Sequence, residues 1–160
     1  MITIRKIKPN EYSFLEDMLY EAIFVPMGSQ PFPIDIIKDP NLIRYIDDFG
    51  KKDDYCLIAE CENTLIGAIW IRLFSKENKG YGYVDNSTPE LSIALDKNHR
   101  GTGIGTRLLN QMLKIMIYKG YAQVSLSVDE KNKAFQLYKK HGFTIVHSKE
   151  ASHIMVKKLI

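Results

Sequence analysis

Closely spaced glycines between a strand and a helix constrain this chain more than any other segment. The residues from Glu90 to Asp96 read as a strand, and an apolar stripe predicts a helix from about Gly103 to Lys119. The glycines at this junction are Gly101, Gly103 and Gly105. Because glycine has no Cβ atom, successive backbone N–H groups can point at one anion, and the helix N-terminus and Arg100 add positive charge. The segment predicts a pyrophosphate site, with a glycine-rich turn that binds no ligand as the alternative.

The spacing of these glycines disfavours two other nucleotide-binding loops. A dinucleotide fingerprint needs G-x-G-x-x-G, and Thr106 stands where its last glycine would be. A Walker loop needs Gly-Lys-Ser/Thr, whereas Gly105 is followed by Thr106 and Arg107. A pyrophosphate carried by another kind of cofactor is therefore the better hypothesis.

Two sequence blocks resemble a known family. The first, Arg100-x-x-Gly103-x-Gly105, resembles the acetyl-CoA pyrophosphate loop of the GNAT superfamily of N-acyltransferases. The second resembles the late helix and following strand of that family and reads Asn132-x-Ala134-x-x-Leu137-Tyr138-x-x-x-Gly142-Phe143. One helix and one strand separate the blocks, as in the family. The resemblance covers about Glu90 to Thr144, and the N-terminal half matches only in the order of its elements.

The resemblance implies that acetyl-CoA is the cosubstrate, and it also implies which residues hold it. In the family, backbone amides of the turn bind the pyrophosphate, and the strand before the turn pairs with the pantetheine arm. Asn132 matches the asparagine that opens the late helix, although Asn is also a favoured capping residue. The implied cofactor-binding residues are Ile93, Ala94, Leu95, Arg100, Gly101, Thr102, Gly103, Ile104, Gly105, Thr106, Asn132 and Tyr138.

Tyr138 matches the tyrosine that lies beside the cofactor sulfur in the resembled family. Attack of an amine on a thioester expels a thiolate, and thiols titrate near ~8.5. A phenol with a pKa near ~10 is protonated at neutral pH and can donate to that sulfur. Tyr138 also shares an apolar helical stripe with Ala134 and Leu137, which is typical of a core position. The resemblance favours the catalytic role.

Glu90 is the candidate general base. The attacking amine must be neutral, whereas alkylammonium groups titrate near ~10, so a carboxylate that removes the proton is useful. Many members of the resembled family place a catalytic carboxylate at the start of the strand that Glu90 opens, and others manage without a dedicated base. A solvent-exposed glutamate at the end of a strand is the alternative interpretation.

Trp70 and Arg72 are the candidate acceptor-binding residues. They share one face of a strand predicted from Leu65 to Phe74, and the guanidinium of Arg72 can bind a carboxylate in bidentate fashion. Six aspartates between positions 35 and 54 favour a cationic acceptor instead, or simply form a solvated acidic face. Because these observations conflict, the acceptor stays open between a small-molecule amine and a protein amine.

The order of predicted elements indicates an α/β (α+β) fold with three layers. Runs of strands surround a few helices, and the last third alternates helix, strand, helix and two strands. The resemblance implies a central mixed, mostly antiparallel twisted sheet of about six to seven strands flanked by helices. At 160 residues we expect a single domain, 1–160. Its acceptor-side region is expected at about 1–89 and its acetyl-CoA-binding core at about 90–144.

Composition and charge disfavour several other classes of protein. The net charge of +3 comes from interleaved charges rather than from a basic stripe, and no apolar run approaches the ~20 residues of a membrane span. Cys56 and Cys61 fall on opposite faces of one predicted strand, and the four histidines lack metal-ligand spacing. We expect a cytoplasmic N-acetyltransferase without metal, nucleic-acid or membrane partners, and a homodimer stays open. A non-catalytic acyl-CoA-binding module of the same fold is the second hypothesis.

Overall fold

Seven strands form one open sheet between helices in the computed structural model, which describes residues 1–160. In chain order the elements are β1 (Ile2–Lys6), α1 (Phe14–Ala22), α2 (Pro40–Ile43), β2 (Tyr55–Cys61), β3 (Thr64–Arg72), β4 (Glu90–Leu95), α3 (Ile104–Lys119), β5 (Gln123–Asp129), α4 (Ala134–Lys140), β6 (Thr144–Lys149) and β7 (Ser152–Lys158). Short 3₁₀ helices lie at Pro9–Glu11, Ile34–Lys38 and Lys97–His99.

The strand order across the sheet is β1-β2-β3-β4-β5-β7-β6, and only the β4–β5 neighbours are parallel. Along its whole length β4 pairs with β3, from Glu90 opposite Arg72 to Leu95 opposite Gly67. Toward β5 it pairs at one position, Glu90 opposite Ser125. The rest of that edge of β4, residues 91–95, has no strand partner, and we call this space the β4–β5 gap. The predicted mixed, mostly antiparallel sheet is confirmed.

Alternation along the strands separates two hydrophobic clusters, one on each face of the sheet. The face with Ile69 and Ile71 of β3 packs against α3 and α4. The face with Ala68 and Trp70 packs against α1 and against the segment that follows α2. Side chains of consecutive strand residues point to opposite faces, so a strand with apolar residues at nearly every position is buried on both sides. The result is the predicted three-layer arrangement.

The hairpin between β2 and β3 and the region around α2 show how far local sequence determines local structure. The sequence predicts a tight turn at Glu62 and Asn63 between two strands, and the structure has it, with a positive φ at both residues, 48° and 66°. By contrast, α2 ends at Ile43, whereas the sequence by itself predicts a short helix from Leu42 to Phe49, started near Pro40 and Asn41. The carbonyls of Arg44, Tyr45 and Asp47 accept hydrogen bonds from side chains of β3, so they do not bond to a further helical turn.

Candidate active site

The glycine turn after β4 has the backbone geometry of an anion site. Gly103 precedes the first residue of α3 with φ +86°, and Gly101 has φ +74°. Both angles favour glycine, and at each position the space where a Cβ atom would stand is open. Gly105 differs from them, because its φ is not positive and a Cβ atom there would make an ordinary contact of 3.6 Å with Cδ1 of Leu95. The turn therefore leaves open space at the N-terminus of a sixteen-residue helix.

Arg100 lies beside this turn, but its charge is already partly neutralised. Its side chain is about half exposed, its Nε donates to the carbonyl of Leu95, and its Nη2 donates to the carboxylate of Glu21 at 2.9 Å. Next to it, the hydroxyl of Thr102 donates to the carbonyl of His99 at 2.7 Å, which fixes the turn. Thr106 lies in the first turn of α3. Backbone amides, rather than the arginine alone, supply most of the attraction for an anion here.

The β4–β5 gap leads from this turn into the centre of the sheet. Ile93 and Leu95 face the cluster under α3, and Ala94 faces the opposite cluster. Since β5 leaves this edge of β4 unpaired, an extended ligand can pair with its backbone as an added strand. The unpaired edge of β4 and the open glycine turn at its end fit an extended ligand whose arm leads to a pyrophosphate. Coenzyme A thioesters have that shape.

The residues of the second sequence block lie in α4 and just before it, and α4 packs on the cluster under α3. Asn132 lies just before α4, and its Oδ1 accepts from the backbone N–H of Ala134 at 2.9 Å, so it caps the helix. Tyr138 is 6% exposed, and its ring packs against Phe143 at a centroid distance of 5.7 Å. Its hydroxyl makes no hydrogen bond within the protein, and burial raises the pKa of this phenol. Tyr138 is therefore a protonated donor without a partner.

Glu90, at the start of β4, is buried rather than solvent-exposed. Its Oε2 accepts a 2.5 Å hydrogen bond from the hydroxyl of Tyr45, and its Oε1 is buried without a hydrogen-bond partner. Burial raises the pKa of Glu90 to about 7, and the Tyr45 hydroxyl and the Gly82 amide offset part of that rise. A carboxyl that titrates near neutral pH suits a general base.

The loop between β3 and β4 packs over Glu90, and two glycines of this loop allow its backbone to approach the carboxylate closely. A Cβ atom at Gly80 would lie 2.3 Å from Oε1 of Glu90, and one at Gly82 would lie 3.0 Å from its Cδ atom. The same hypothetical atom at Gly82 would lie 2.7 Å from the carbonyl carbon of Leu126 in β5. The loop therefore crosses the point where β4 and β5 still pair, and it closes one end of the β4–β5 gap.

Glu90 and Tyr138 lie with different hydrophobic clusters, on opposite faces of the sheet. Glu90 contacts Tyr45, which belongs to the cluster under α1, whereas Tyr138 belongs to the cluster under α3 and α4. Glu90 stands at the one position where β4 pairs with β5, next to the unpaired residues of the β4–β5 gap.

Trp70 and Arg72 do not have the geometry predicted for acceptor binding. Trp70 is fully buried and its Nε1 donates to the carbonyl of Tyr45 at 3.1 Å. Arg72 is 6% exposed and makes a bidentate pair with Asp54, at 3.0 and 2.8 Å. Its Nη1 donates to the carbonyls of Arg44 and Asp47. Because their donors are already used, we correct this interpretation: both side chains hold the segment that carries Tyr45.

Tyr45 is the functional candidate that sequence reasoning missed. It contacts Glu90 across 45 residues of chain, and no local pattern marks such a contact. The spacing Gly80-Tyr81-Gly82 was the one available indication, because glycines that flank an aromatic residue in a loop often allow a close approach.

Comparison with known proteins agrees with this geometry. Residues 19–143 match the model of the acetyltransferase (GNAT) family, so the chain belongs to that family. No curated protein matches the sequence closely enough to count as a relative.

Solved structures of similar fold cover nearly the whole chain. PaiA N-acetyltransferase from Thermoplasma acidophilum, in complex with coenzyme A, is 24% identical with a TM-score of 0.68 and 99% coverage of both chains. An N-acetyltransferase from Staphylococcus aureus Mu50 is 20% identical with a TM-score of 0.71, and 100% of this chain and 99% of that one are covered. YncA from Salmonella typhimurium, with its cofactor acetyl-CoA, is 17% identical with a TM-score of 0.71, and the coverages are 100% and 95%. At these identities the likeness shows the fold.

The structure also bears on membrane-spanning helices and on groups of metal ligands. No helix has the length and apolar character of a membrane span. No group of three or more His, Cys, Asp or Glu side chains comes together as a set of metal ligands.

Proposed function

We propose that this protein transfers an acetyl group from acetyl-CoA to a primary amine of a small molecule or a protein, by direct attack. The observation that supports the proposal is that Glu90 and Tyr138 lie on opposite faces of the sheet that contains the β4–β5 gap. One is a buried carboxyl with a pKa of about 7, and the other is a protonated phenol without a hydrogen-bond partner.

Acetyl-CoA, when bound, supplies an acetyl group activated as a thioester. The amides of residues 100–106 would hold its pyrophosphate, because the turn is open there and the helix N-terminus adds partial positive charge. Backbone groups of Ile93 to Leu95 would pair with its extended arm. Asn132 would hold the start of α4 in place beside it.

Glu90 would act as the general base toward the acceptor. Its carboxyl is largely ionised above about pH 7, and Oε1 is the oxygen that has no partner within the protein. An alkylammonium titrates near ~10, so at neutral pH the acceptor must lose a proton before its nitrogen can attack. A carboxylate of raised pKa holds that proton better than an ordinary one, which favours the transfer.

Tyr138 would act at the other end of the breaking bond. Its raised pKa keeps the hydroxyl protonated throughout the neutral range, and no group of the protein competes for its hydrogen. It can therefore donate a hydrogen bond to the departing sulfur. Stabilising the developing thiolate in this way lowers the barrier without changing the affinity for the ground state.

The experiment that tests this proposal is a screen of amines with acetyl-CoA at about pH 8, where Glu90 is ionised. The panel contains small polyamines, amino acids and peptides with free N-termini or lysines. Release of free thiol together with a mass gain of one acetyl group on one class of amine is the expected result. Binding of acetyl-CoA without release for any amine would instead support the non-catalytic acyl-CoA-binding module.

A further inference from the structure

We propose that Tyr45 is a positioning residue for the transfer reaction: it holds Oε2 of the Glu90 carboxylate, so that Oε1, which has no hydrogen-bond partner, is the oxygen left to take the acceptor's proton. This inference rests on the proposed role of Glu90 as the base. Tyr45 lies in the segment after α2 and is 7% exposed. Its hydroxyl lies 2.5 Å from Oε2 of Glu90.

The direction of this hydrogen bond follows from the other partner of the hydroxyl. The backbone N–H of Tyr81 donates to the Tyr45 oxygen at 2.7 Å. The oxygen is thus used as an acceptor there, and its own hydrogen is left to point at Glu90. A hydroxyl that donates to a carboxylate stabilises the ionised form, which is the form a base needs.

The ring of Tyr45 is held from two sides, so the hydroxyl has little freedom to leave. Phe74 packs edge-on at a centroid distance of 5.1 Å, and Tyr81 stacks on it at 6.5 Å with an interplanar angle of 15°. Gly80 fits over the contact, since a Cβ atom there would lie 2.8 Å from the Tyr45 hydroxyl.

The backbone of this segment is held by β3. Trp70 donates to the carbonyl of Tyr45 itself, and Arg72 donates to the carbonyls of Arg44 and Asp47 on either side of it. Arg72 is in turn fixed by the buried carboxylate of Asp54, which is 2% exposed. A continuous set of buried hydrogen bonds therefore runs from β3 to Tyr45 and on to Glu90, the first residue of β4.

Few other groups bear on the ionisation of Glu90. Across β3 its direct neighbour is Arg72, whose guanidinium is committed to Asp54 and to two carbonyls. Across β5 its neighbour is Ser125, an uncharged hydroxyl that is buried without a hydrogen-bond partner. The covering loop presents backbone of Gly80 and Gly82, and the Gly82 amide lowers the pKa of Glu90 as the Tyr45 hydroxyl does. Tyr45 is the ionisable side chain that bonds directly to the carboxylate.

The test is Tyr45→Phe, which removes the hydroxyl and keeps the ring. The matched control is Tyr121→Phe, because the Tyr121 hydroxyl also bonds a carboxylate, that of Asp53 at 2.6 Å, away from Glu90. The titration of Glu90 is followed by NMR of its carboxyl carbon, assigned by its loss in Glu90→Gln. Rates with acetyl-CoA and the best amine of the screen are measured across the same pH range.

Loss of a hydrogen bond to a charged group should move the Glu90 midpoint upward by about one pH unit in Tyr45→Phe. The rate relative to wild type should then fall about tenfold below the midpoint and recover well above it, with acetyl-CoA affinity unchanged. Tyr121→Phe should change neither the Glu90 midpoint nor the pH dependence of the rate. These results would support Tyr45 as a positioning residue.

Two results would overturn the inference. One is an unmoved carboxyl midpoint in folded Tyr45→Phe, and the other is a midpoint that moves while the pH–rate profile stays where it was. If wild type acetylates no amine, the proposed function fails, and if Glu90→Gln keeps the full rate, the role of Glu90 as the base fails. The carboxyl titration still decides separately whether Tyr45 controls Glu90.

Discussion

At the scale of single residues, Glu90 is the position where stability and activity oppose each other. A carboxyl buried at 4% exposure is more stable as the neutral acid, yet a base must be ionised. The chain offsets part of that conflict with the hydrogen bond from Tyr45 and with the nearby Gly82 amide, and Oε1 has no hydrogen-bond partner. Such an unsatisfied buried atom is unfavourable for folding, and it is typical of a functional site.

The first prediction concerns the stability of Glu90→Gln. The pKa of Glu90 is about 7 in the folded protein against a reference value of 4.5, so the folded state holds the proton more tightly. The stabilisation is fully present below about pH 4.5 and is lost as the pH rises through about 7. Glutamine keeps an acceptor for Tyr45 without ionising. Glu90→Gln should therefore exceed wild type in unfolding free energy above pH 7, by on the order of 3 kcal/mol, with a smaller difference at pH 5.

Urea unfolding at a series of pH values measures this difference. Glu60→Gln serves as a control, because that carboxylate forms a partly exposed pair with Arg5. A stability gap for Glu90→Gln that does not change between acid and alkaline pH would show that Glu90 does not titrate near neutrality.

The second prediction concerns Tyr138→Phe. Because the hydroxyl of Tyr138 has no partner within the protein, its removal should change stability and acetyl-CoA affinity little. General acid catalysis is typically worth about 10²–10⁴-fold, so the single-turnover rate should fall within that range. Rapid-quench measurement at saturating acetyl-CoA avoids masking by product release. A wild-type single-turnover rate would leave Tyr138 as a core residue of α4.

At the scale of elements, the contact between β3 and the segment after α2 holds Tyr45 beside Glu90. Arg72 forms a bidentate pair with Asp54, and both side chains are less than a tenth exposed. Removing one member of a buried pair leaves an uncompensated charge, which typically costs about 3–5 kcal/mol. Our third prediction is that Arg72→Met loses stability by that amount in chemical unfolding.

Arg5→Met is the matched control for Arg72→Met. Arg5 pairs with the carboxylates of Glu11 and Glu60, and these three side chains are about a fifth to a quarter exposed. The loss of unfolding free energy in Arg5→Met should therefore be only about 1 kcal/mol. If Arg72→Met is as stable as Arg5→Met, Arg72 is free enough to bind an acceptor and our correction of its role is wrong.

The fourth prediction compares the two ends of α3. Gly103 and Gly120 flank this helix with nearly equal φ values, 86° and 88°, and a Cβ atom would meet nothing at either position. Valine introduces similar backbone strain at both. Gly103→Val should abolish acetyl-CoA binding, measured by calorimetry, because the branched side chain would occupy the open space beside the turn. Gly120→Val should bind normally, and equal affinities of the two variants would place the pyrophosphate elsewhere.

Sequence patterns predicted those parts of the protein that depend on neighbours in the chain. The faces of β3, the Glu62–Asn63 turn and the start of α3 after Gly103 all follow from periodicity and turn chemistry. The end of α2, the burial of Glu90 and the role of Arg72 depend on contacts between segments far apart in sequence. No local pattern contains those contacts, so polar residues on a central strand were interpreted as a binding site.

At the scale of the whole molecule, the account depends on one ligand that fits along the β4–β5 gap and ends at the glycine turn. The sheet is continuous from β1 to β4 and from β5 to β6, and these two parts pair with each other at a single position. A ligand that pairs with the free edge of β4 would connect the two halves, so its binding should stabilise the entire fold rather than one loop.

Thermal unfolding with acetyl-CoA, NAD and ATP tests this most directly. A ligand that binds only the folded state adds about 2.7 kcal/mol of stability at ~100 times its dissociation constant, which raises the midpoint by several degrees for a chain of this size. We predict such a rise with acetyl-CoA and none with NAD or ATP at equal concentration. No rise with acetyl-CoA, or an equal rise with NAD, would contradict the assignment of the turn and the gap to acetyl-CoA.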